Sequence, residues 1–158
     1  LHPRAVVLGA GGSAGAVVYA LTTVGWQVTI LSRRPTQAEQ LAAAFAGFEG
    51  GGDIQAGTPD EDTLRSLSAD LVVNTTPVGM YPDMCCSPWP AQIPLPASAV
   101  IYDLVYNPRN TVLLDQARAQ GLAVISGIHM LVEQAAISFE HWTNINAPRQ
   151  AMLDAVQV

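Results

Sequence analysis

The chain has 158 residues, of which 49% are apolar and 13% charged, and its formal net charge is −6. That composition suits a single domain with its own core and excludes a disordered chain. The acidic balance speaks against nucleic acid or an anionic membrane surface as partners, and no apolar run approaches the ~18 residues of a membrane span.

The opening Leu1-His2-Pro3-Arg4 has no charged leader running into an apolar stretch, so no export signal is expected. The missing initiator Met suggests a trimmed piece of a longer chain. Ala5–Leu8 is a short β-branched run closed by glycines, and Ser13–Val24 reads as a helix. Gln27–Leu31 alternates as a strand, Thr36–Phe45 reads as a helix, and Asp53–Gln55 is a weak strand. Thr58-Pro59-Asp60-Glu61 reads as a helix start with a hydroxyl cap at Thr58 and proline at the first position; the helix runs to about Leu67. Asp70–Asn74 reads as a buried strand.

Six prolines between Pro77 and Pro96 break the pattern, so that segment is expected to be loop or very short helix. It is the one plausible internal joint, too short for a domain boundary. Val100–Asp103 resumes as a strand. Thr111–Gln120 reads as a helix with Gly121 just past its end. Leu122–Ile125 is a strand, Gly127–Trp142 a long helix with an apolar face, and Ala147–Val156 a short terminal helix. Strands alternating with helices imply parallel strands joined by crossovers. The expected fold is therefore α/β: a doubly wound, six-stranded parallel sheet with helices on both faces.

All seven basic residues are arginines, and the chain has no lysine. A mechanism needing a side-chain amine cannot be run by these residues. Cys85 and Cys86 are neighbours and read as reduced thiols of a cytosolic, cytoplasmic protein rather than a disulfide framework. His2, His129 and His141 show no metal-ligand spacing, so no metal is expected.

The most informative segment is Val6-Val7-Leu8-Gly9-Ala10-Gly11-Gly12-Ser13-Ala14, which leaves the first strand and opens the first helix. Gly9 permits the tight turn, Gly11 lets a pyrophosphate approach the backbone, and Ala14 allows close helix-on-strand packing. The helix N-terminus then faces the phosphates with free N–H groups. The bland alternative is a tight turn without a ligand. A site for NAD wants Asp or Glu at the end of the second strand; this chain has Ser32-Arg33-Arg34 there. A carboxylate would repel a 2′-phosphate and two guanidiniums would hold it, so the residues favour NADP. The alternative is a pair of solvated arginines at a helix start.

These motifs, taken with Asn74-Thr75-Thr76-Pro77-Val78-Gly79-Met80, Tyr102-Asp103-Leu104-Val105-Tyr106-Asn107-Pro108, Thr111-Val112-Leu113-Leu114 and Gly127-Ile128-His129-Met130-Leu131-Val132-Glu133-Gln134-Ala135, resemble the cofactor-binding half of shikimate dehydrogenases and the related quinate/shikimate enzymes. The resemblance implies a Rossmann-type NADP-binding domain over residues 1–158. The N-terminal domain, which carries a catalytic Lys and Asp in the family, is absent. No catalytic residue is therefore assigned in this chain.

By resemblance, Gly9, Ala10, Gly11, Gly12 and Ser13 hold the pyrophosphate, and Ser32, Arg33 and Arg34 flank the 2′-phosphate. Thr76 lies beside the cofactor ribose, Leu104 and Gly127 face the nicotinamide, and Tyr106 and Gln134 reach the substrate. The family pattern at the second strand is usually Asn-Arg-Thr with a further arginine one turn on; here the triplet is Ser32-Arg33-Arg34, followed by Gln37.

Each assignment has a bland counterpart. Asn74-Thr75-Thr76-Pro77 would serve simply to end a strand, and Tyr106-Asn107-Pro108 is also a good turn sequence. Gln134 would equally take an internal partner; His129 reads as exposed and inert, Met130 and Leu131 as core. The implied activity of the whole enzyme is reduction of 3-dehydroshikimate to shikimate, in aromatic amino-acid biosynthesis, with this fragment alone inactive. The alternatives are a free-standing NADP-binding module or sensor, or a quinate dehydrogenase. Glutamyl-tRNA reductase and methylene-tetrahydrofolate dehydrogenase have comparable cofactor domains, but the acidic balance disfavours tRNA and the Gly127–Gln134 segment looks closer to shikimate dehydrogenase. An apolar face left by the absent domain would favour self-association, as a homodimer.

Overall fold

A computed structural model describes residues 2–47 and 53–156. Six strands form one sheet: β1 (Arg4–Leu8), β2 (Gln27–Leu31), β3 (Ile54–Gly57), β4 (Leu71–Asn74), β5 (Val100–Asp103) and β6 (Val124–Ser126). The helices are α1 (Gly12–Thr23), α2 (Pro35–Ala44), α3 (Glu61–Ser66), α4 (Val112–Ala119), α5 (Ile128–Thr143) and α6 (Arg149–Ala155). Every expected element is present; β2 and β5 have the expected bounds, and other ends are displaced by no more than two residues.

The strand order is β3-β2-β1-β4-β5-β6, all parallel. The chain winds outward from β1 to β3, then returns to the other side of β1 through β4. This doubly wound order leaves a crevice at the carboxyl ends of β1 and β4, where the direction of winding reverses.

Alternation along β1 explains the layering. Val6 and Leu8 join a core with Leu64 of α3 and Leu113, Leu114 and Ala117 of α4. Val7 faces the other way, onto Ala14 and Val18 of α1 and Ala38 of α2. With both faces covered, β1 and β4 are buried beyond their first residues and read as continuous apolar runs. Each fully buried aliphatic side chain contributes roughly 1.5–3 kcal/mol.

The proline-rich segment is irregular as expected, yet it is not a mere joint. It sends Trp89, Ile93 and Leu95 into the first core, and the Trp89 Nε1–H donates to the Ile93 carbonyl at 2.9 Å.

One capping expectation is corrected. The cap of α3 is Asp60, whose carboxylate accepts from the Thr63 N–H at 2.9 Å; Pro59 lies one residue before the cap. Thr58 instead donates its hydroxyl to Asp60 at 2.5 Å. A carboxylate is the better acceptor at a helix N-terminus, so Asp60 takes the position.

Candidate dinucleotide site

A cavity of about 460 Å³ opens at the carboxyl ends of β1, β2 and β4. Its floor is Leu8, Gly9, Ala10 and Gly11, and one wall is Leu31, Ser32, Arg33, Arg34 and Gln37. The opposite wall is Thr75, Thr76, Pro77 and Val78, and Pro59, Ser87, Pro88 and Pro90 close the rim. Among the described residues no carboxylate lines it, although the whole chain is acidic.

The floor is shaped by Gly9. Its φ is +107°, and a Cβ there would stand 2.7 Å from Thr75 Oγ1 and 3.0 Å from Thr76 Cγ2. Only glycine lets the turn pass so close to the end of β4. The turn is pinned by the Gly9 N–H, which donates to the Leu31 carbonyl at 2.8 Å. Gly11 and Gly12 are the reverse case: Cβ atoms at these positions would meet nothing within 4 Å. The space is open, and α1 begins there with Gly11 as its N-cap and no side-chain hydrogen bond to its first N–H groups. By contrast, α3 and α4 are capped by Asp60 and Thr111. An uncapped, exposed helix start is suited to an anion.

The arginines divide by partner. Arg4 donates to Ser68, Arg109 to the Val156 carbonyl, and Arg65, Arg118 and Arg149 pair with carboxylates. Among the described residues, Arg33 and Arg34 have no side-chain partner, and both line the cavity. Ser32 between them and β2 is 8% exposed, and its hydroxyl accepts from the Arg34 N–H at 3.2 Å.

Behind Thr76 lies a buried polar cluster. Asn74 and Asp103 are wholly buried register partners at the ends of β4 and β5, and the Asn74 amide donates to Asp103 at 2.9 Å. Burial pushes the Asp103 carboxyl up, against the pull of donors on Thr111, Val105 and Asn74.

The cavity thus gathers Gly9, Ala10, Gly11, Ser32, Arg33, Arg34 and Thr76. Gly12 and Ser13 follow directly in the first turn of α1, exposed. Leu104, Tyr106, Gly127 and Gln134 are not part of its lining. Tyr106 is 42% exposed, and the side chain of Gln134 is exposed on α5. His129 is exposed, while Met130 and Leu131 are half-buried. Gly127 is fixed by contact: a Cβ there would collide with the Leu104 carbonyl oxygen.

The sequence reading did not single out Pro59, Val78, Ser87, Pro88 and Pro90 as lining residues. The two prolines before the buried Trp89 and after it were the available signal.

Comparison with known proteins gives a consistent set of relatives. The shikimate 5′-dehydrogenase C-terminal domain family matches residues 127–157, a span that starts at Gly127 and takes in α5 and α6. The shikimate dehydrogenase (NADP(+)) of Salinibacter ruber is 44% identical over 155 residues, covering 96% of this chain and 54% of that protein. Along nearly its whole length the chain is similar to curated shikimate dehydrogenases (NADP(+)). It spans about half the length of the relatives it matches. Shikimate 5-dehydrogenase from Thermus thermophilus, solved in complex with NADP(H) and shikimate, superposes with a TM-score of 0.79 at 37% identity, over 97% of this chain and 54% of that one. The shikimate 5-dehydrogenase of Listeria monocytogenes, solved with shikimate and NAD, gives 0.86 at 26% identity, over 99% and 56%. Similar proteins have thus been solved with either dinucleotide.

Proposed function

We propose that this chain is the NADP-binding domain of a shikimate dehydrogenase that reduces 3-dehydroshikimate to shikimate. The observation that carries the reading is the pair of guanidiniums, Arg33 and Arg34, which among the described residues have no side-chain partner and stand beside the open glycine turn with no carboxylate in the described lining. The residues fit the cofactor: backbone N–H groups of Gly12 and Ser13 for the pyrophosphate, Ser32, Arg33 and Arg34 for the 2′-phosphate, and Thr76 beside the ribose. Leu104 and Gly127 border the nicotinamide, and Tyr106 and Gln134 face the substrate from their exposed positions.

When bound, the nicotinamide supplies the hydride. This chain's residues bind and orient it. The side-chain amine used in the family is supplied from outside these 158 residues, since they contain no lysine. A substrate-binding domain N-terminal to this one accounts for the unmatched half of the relatives. A cytoplasmic location accords with the free thiols of Cys85 and Cys86. Ile137, Trp142 and Ile145 stand exposed on α5 and just after it, which supports a homodimer when nothing else covers them.

The test is a titration of the purified chain with NADPH and NADH. NADPH is expected to bind at least about tenfold more tightly, since each guanidinium–phosphate bond contributes roughly 1.5–3 kcal/mol. Equal affinities would overturn the NADP assignment. Turnover of shikimate by the chain alone would overturn the division of labour between two domains.

A further inference from the structure

Asp103 is the one wholly buried carboxylate among the described residues, and each of its oxygens is engaged. Oδ1 accepts from Asn74 Nδ2 at 2.9 Å and from the Val105 N–H at 3.0 Å; Oδ2 accepts from Thr111 Oγ1 at 2.6 Å. An ionised carboxylate only accepts, so Asn74 must turn its NH₂ group toward it. That NH₂ group also faces the Val78 carbonyl at 3.4 Å. The amide oxygen of Asn74 is therefore aimed the other way. There it accepts from the Thr76 N–H at 2.9 Å and from the Thr76 hydroxyl at 2.7 Å.

The hydroxyl proton of Thr76 is thus committed to Asn74. One lone pair of the same oxygen takes the Val78 N–H at 3.3 Å. One lone pair of that oxygen is left over, on a residue that lines the cavity.

We propose that Asp103 is a positioning residue: through Asn74 it makes the Thr76 hydroxyl an acceptor-only group in the cavity, which takes an O–H or N–H donor of the bound dinucleotide. This rests on the cofactor reading above. The donor is a hydroxyl or amino group of either the adenosine half or the nicotinamide half, and the experiment separates the two.

The experiment measures dissociation constants for NADPH and for adenosine 2′,5′-bisphosphate with wild type, Thr76→Val, Thr76→Ser, Asp103→Ala, Asp103→Asn and the double variant Asp103→Ala/Thr76→Val. Loss of one hydrogen bond predicts about fivefold weaker NADPH binding for Thr76→Val and for Asp103→Ala. Thr76→Ser keeps the hydroxyl and stays within about twofold of wild type. Asp103→Asn still accepts from Asn74 and Val105 while donating to Thr111, so it restores binding. Because Asp103 acts through Thr76, the double variant loses about fivefold and not the roughly 25-fold product of independent effects. A loss shared by both ligands puts the donor on the adenosine half; a loss with NADPH alone puts it on the nicotinamide half.

Multiplicative losses, or a folded Asp103→Ala with wild-type affinity, would overturn the proposal. Should Asp103→Ala not fold, Thr76→Val decides alone: unchanged NADPH affinity overturns it. Failure of the wild type to bind NADPH at all overturns the cofactor reading as well, so the two failures are distinguishable.

Discussion

At the carboxyl end of β1 the chain turns through glycines and enters α1 with no side chain on its first N–H groups. Two strands away, at the end of β5, the chain runs into Asp103, whose oxygens gather Asn74, Val105 and Thr111, and Thr111 in turn caps α4 by accepting from the Leu114 N–H at 3.3 Å. One region leaves its polar groups open and its space empty; the other satisfies every polar group internally and fills its space with side chains. A dinucleotide site needs both. Unsatisfied donors give a ligand something to bind, and a satisfied wall keeps those donors from collapsing onto one another. Thr76 stands at the seam: its hydroxyl is held by Asn74, and the residue lines the cavity.

Breaking the closed region is expected to have the largest effect on stability. Trp89 is 1% exposed and lies in the segment whose Ser87, Pro88 and Pro90 form the cavity rim. Its own N–H donates to Ser87 Oγ at 3.2 Å. Trp89→Ala is expected to cost about 3–5 kcal/mol in urea unfolding, as large-to-small changes in a core do. Next come the two glycines where backbone meets backbone or side chain. Gly127→Ala drives a Cβ against the Leu104 carbonyl, and Gly9→Ala adds a positive φ to its clash with Thr75. Each is expected to cost about 2–3 kcal/mol. In the open region the same substitution behaves differently. Gly11→Ala meets nothing within 4 Å, so stability should stay within about 0.5 kcal/mol of wild type while NADPH affinity falls. A Gly11→Ala protein that unfolds like Gly9→Ala would erase the contrast between the regions.

The arginines sharpen the contrast further. Arg33 and Arg34 are exposed and without side-chain partners among the described residues. The double variant Arg33→Ala/Arg34→Ala should therefore unfold within about 0.5 kcal/mol of wild type. Its NADPH affinity should fall by roughly 10–100-fold with little change for NADH, the loss of charge-assisted bonds to a 2′-phosphate. Calorimetric titration of the two cofactors reads both effects; a matched fall for NADH would mean that the arginines act on the pyrophosphate instead.

The open region was legible in the sequence because it is written locally. A glycine turn, a helix start and Ser32-Arg33-Arg34 lie within a few residues of the elements that place them, and the parallel sheet follows from strands alternating with crossover helices. The closed region was less legible because its partners are distant. Asn74 and Asp103 are 29 residues apart and meet only through strand register. Trp89, Ile93 and Leu95 reach the core from a segment with no periodicity, where prolines hide burial from any pattern-based reading. At Thr58 and Asp60, two cap-forming side chains sit two residues apart, and hydrogen-bond strength chose between them.

The smallest expected effect concerns pH, and it carries opposite signs in the two settings of a carboxylate. Asp60 is an exposed cap, and hydrogen bonds from Thr58 and then Thr63 lower its pKa from 3.8 to about 2. Its folded value lies below the unfolded one, so its contribution is complete above about pH 4 and is lost as pH falls toward 2. Asp103 is pushed up by burial, so its ionised form costs stability at neutral pH, and that cost is relieved as pH falls through its raised value. Urea midpoints measured across acidic pH should therefore diverge. The gap between wild type and Asp60→Ala closes as the solution is acidified, whereas Asp103→Asn gains on the wild type as pH rises. If Asp60→Ala and Asp103→Asn both gained, or both lost, on the wild type over the same rise in pH, the two carboxylates would share one kind of surroundings, and the buried, internally satisfied wall behind Thr76 would have to be redrawn.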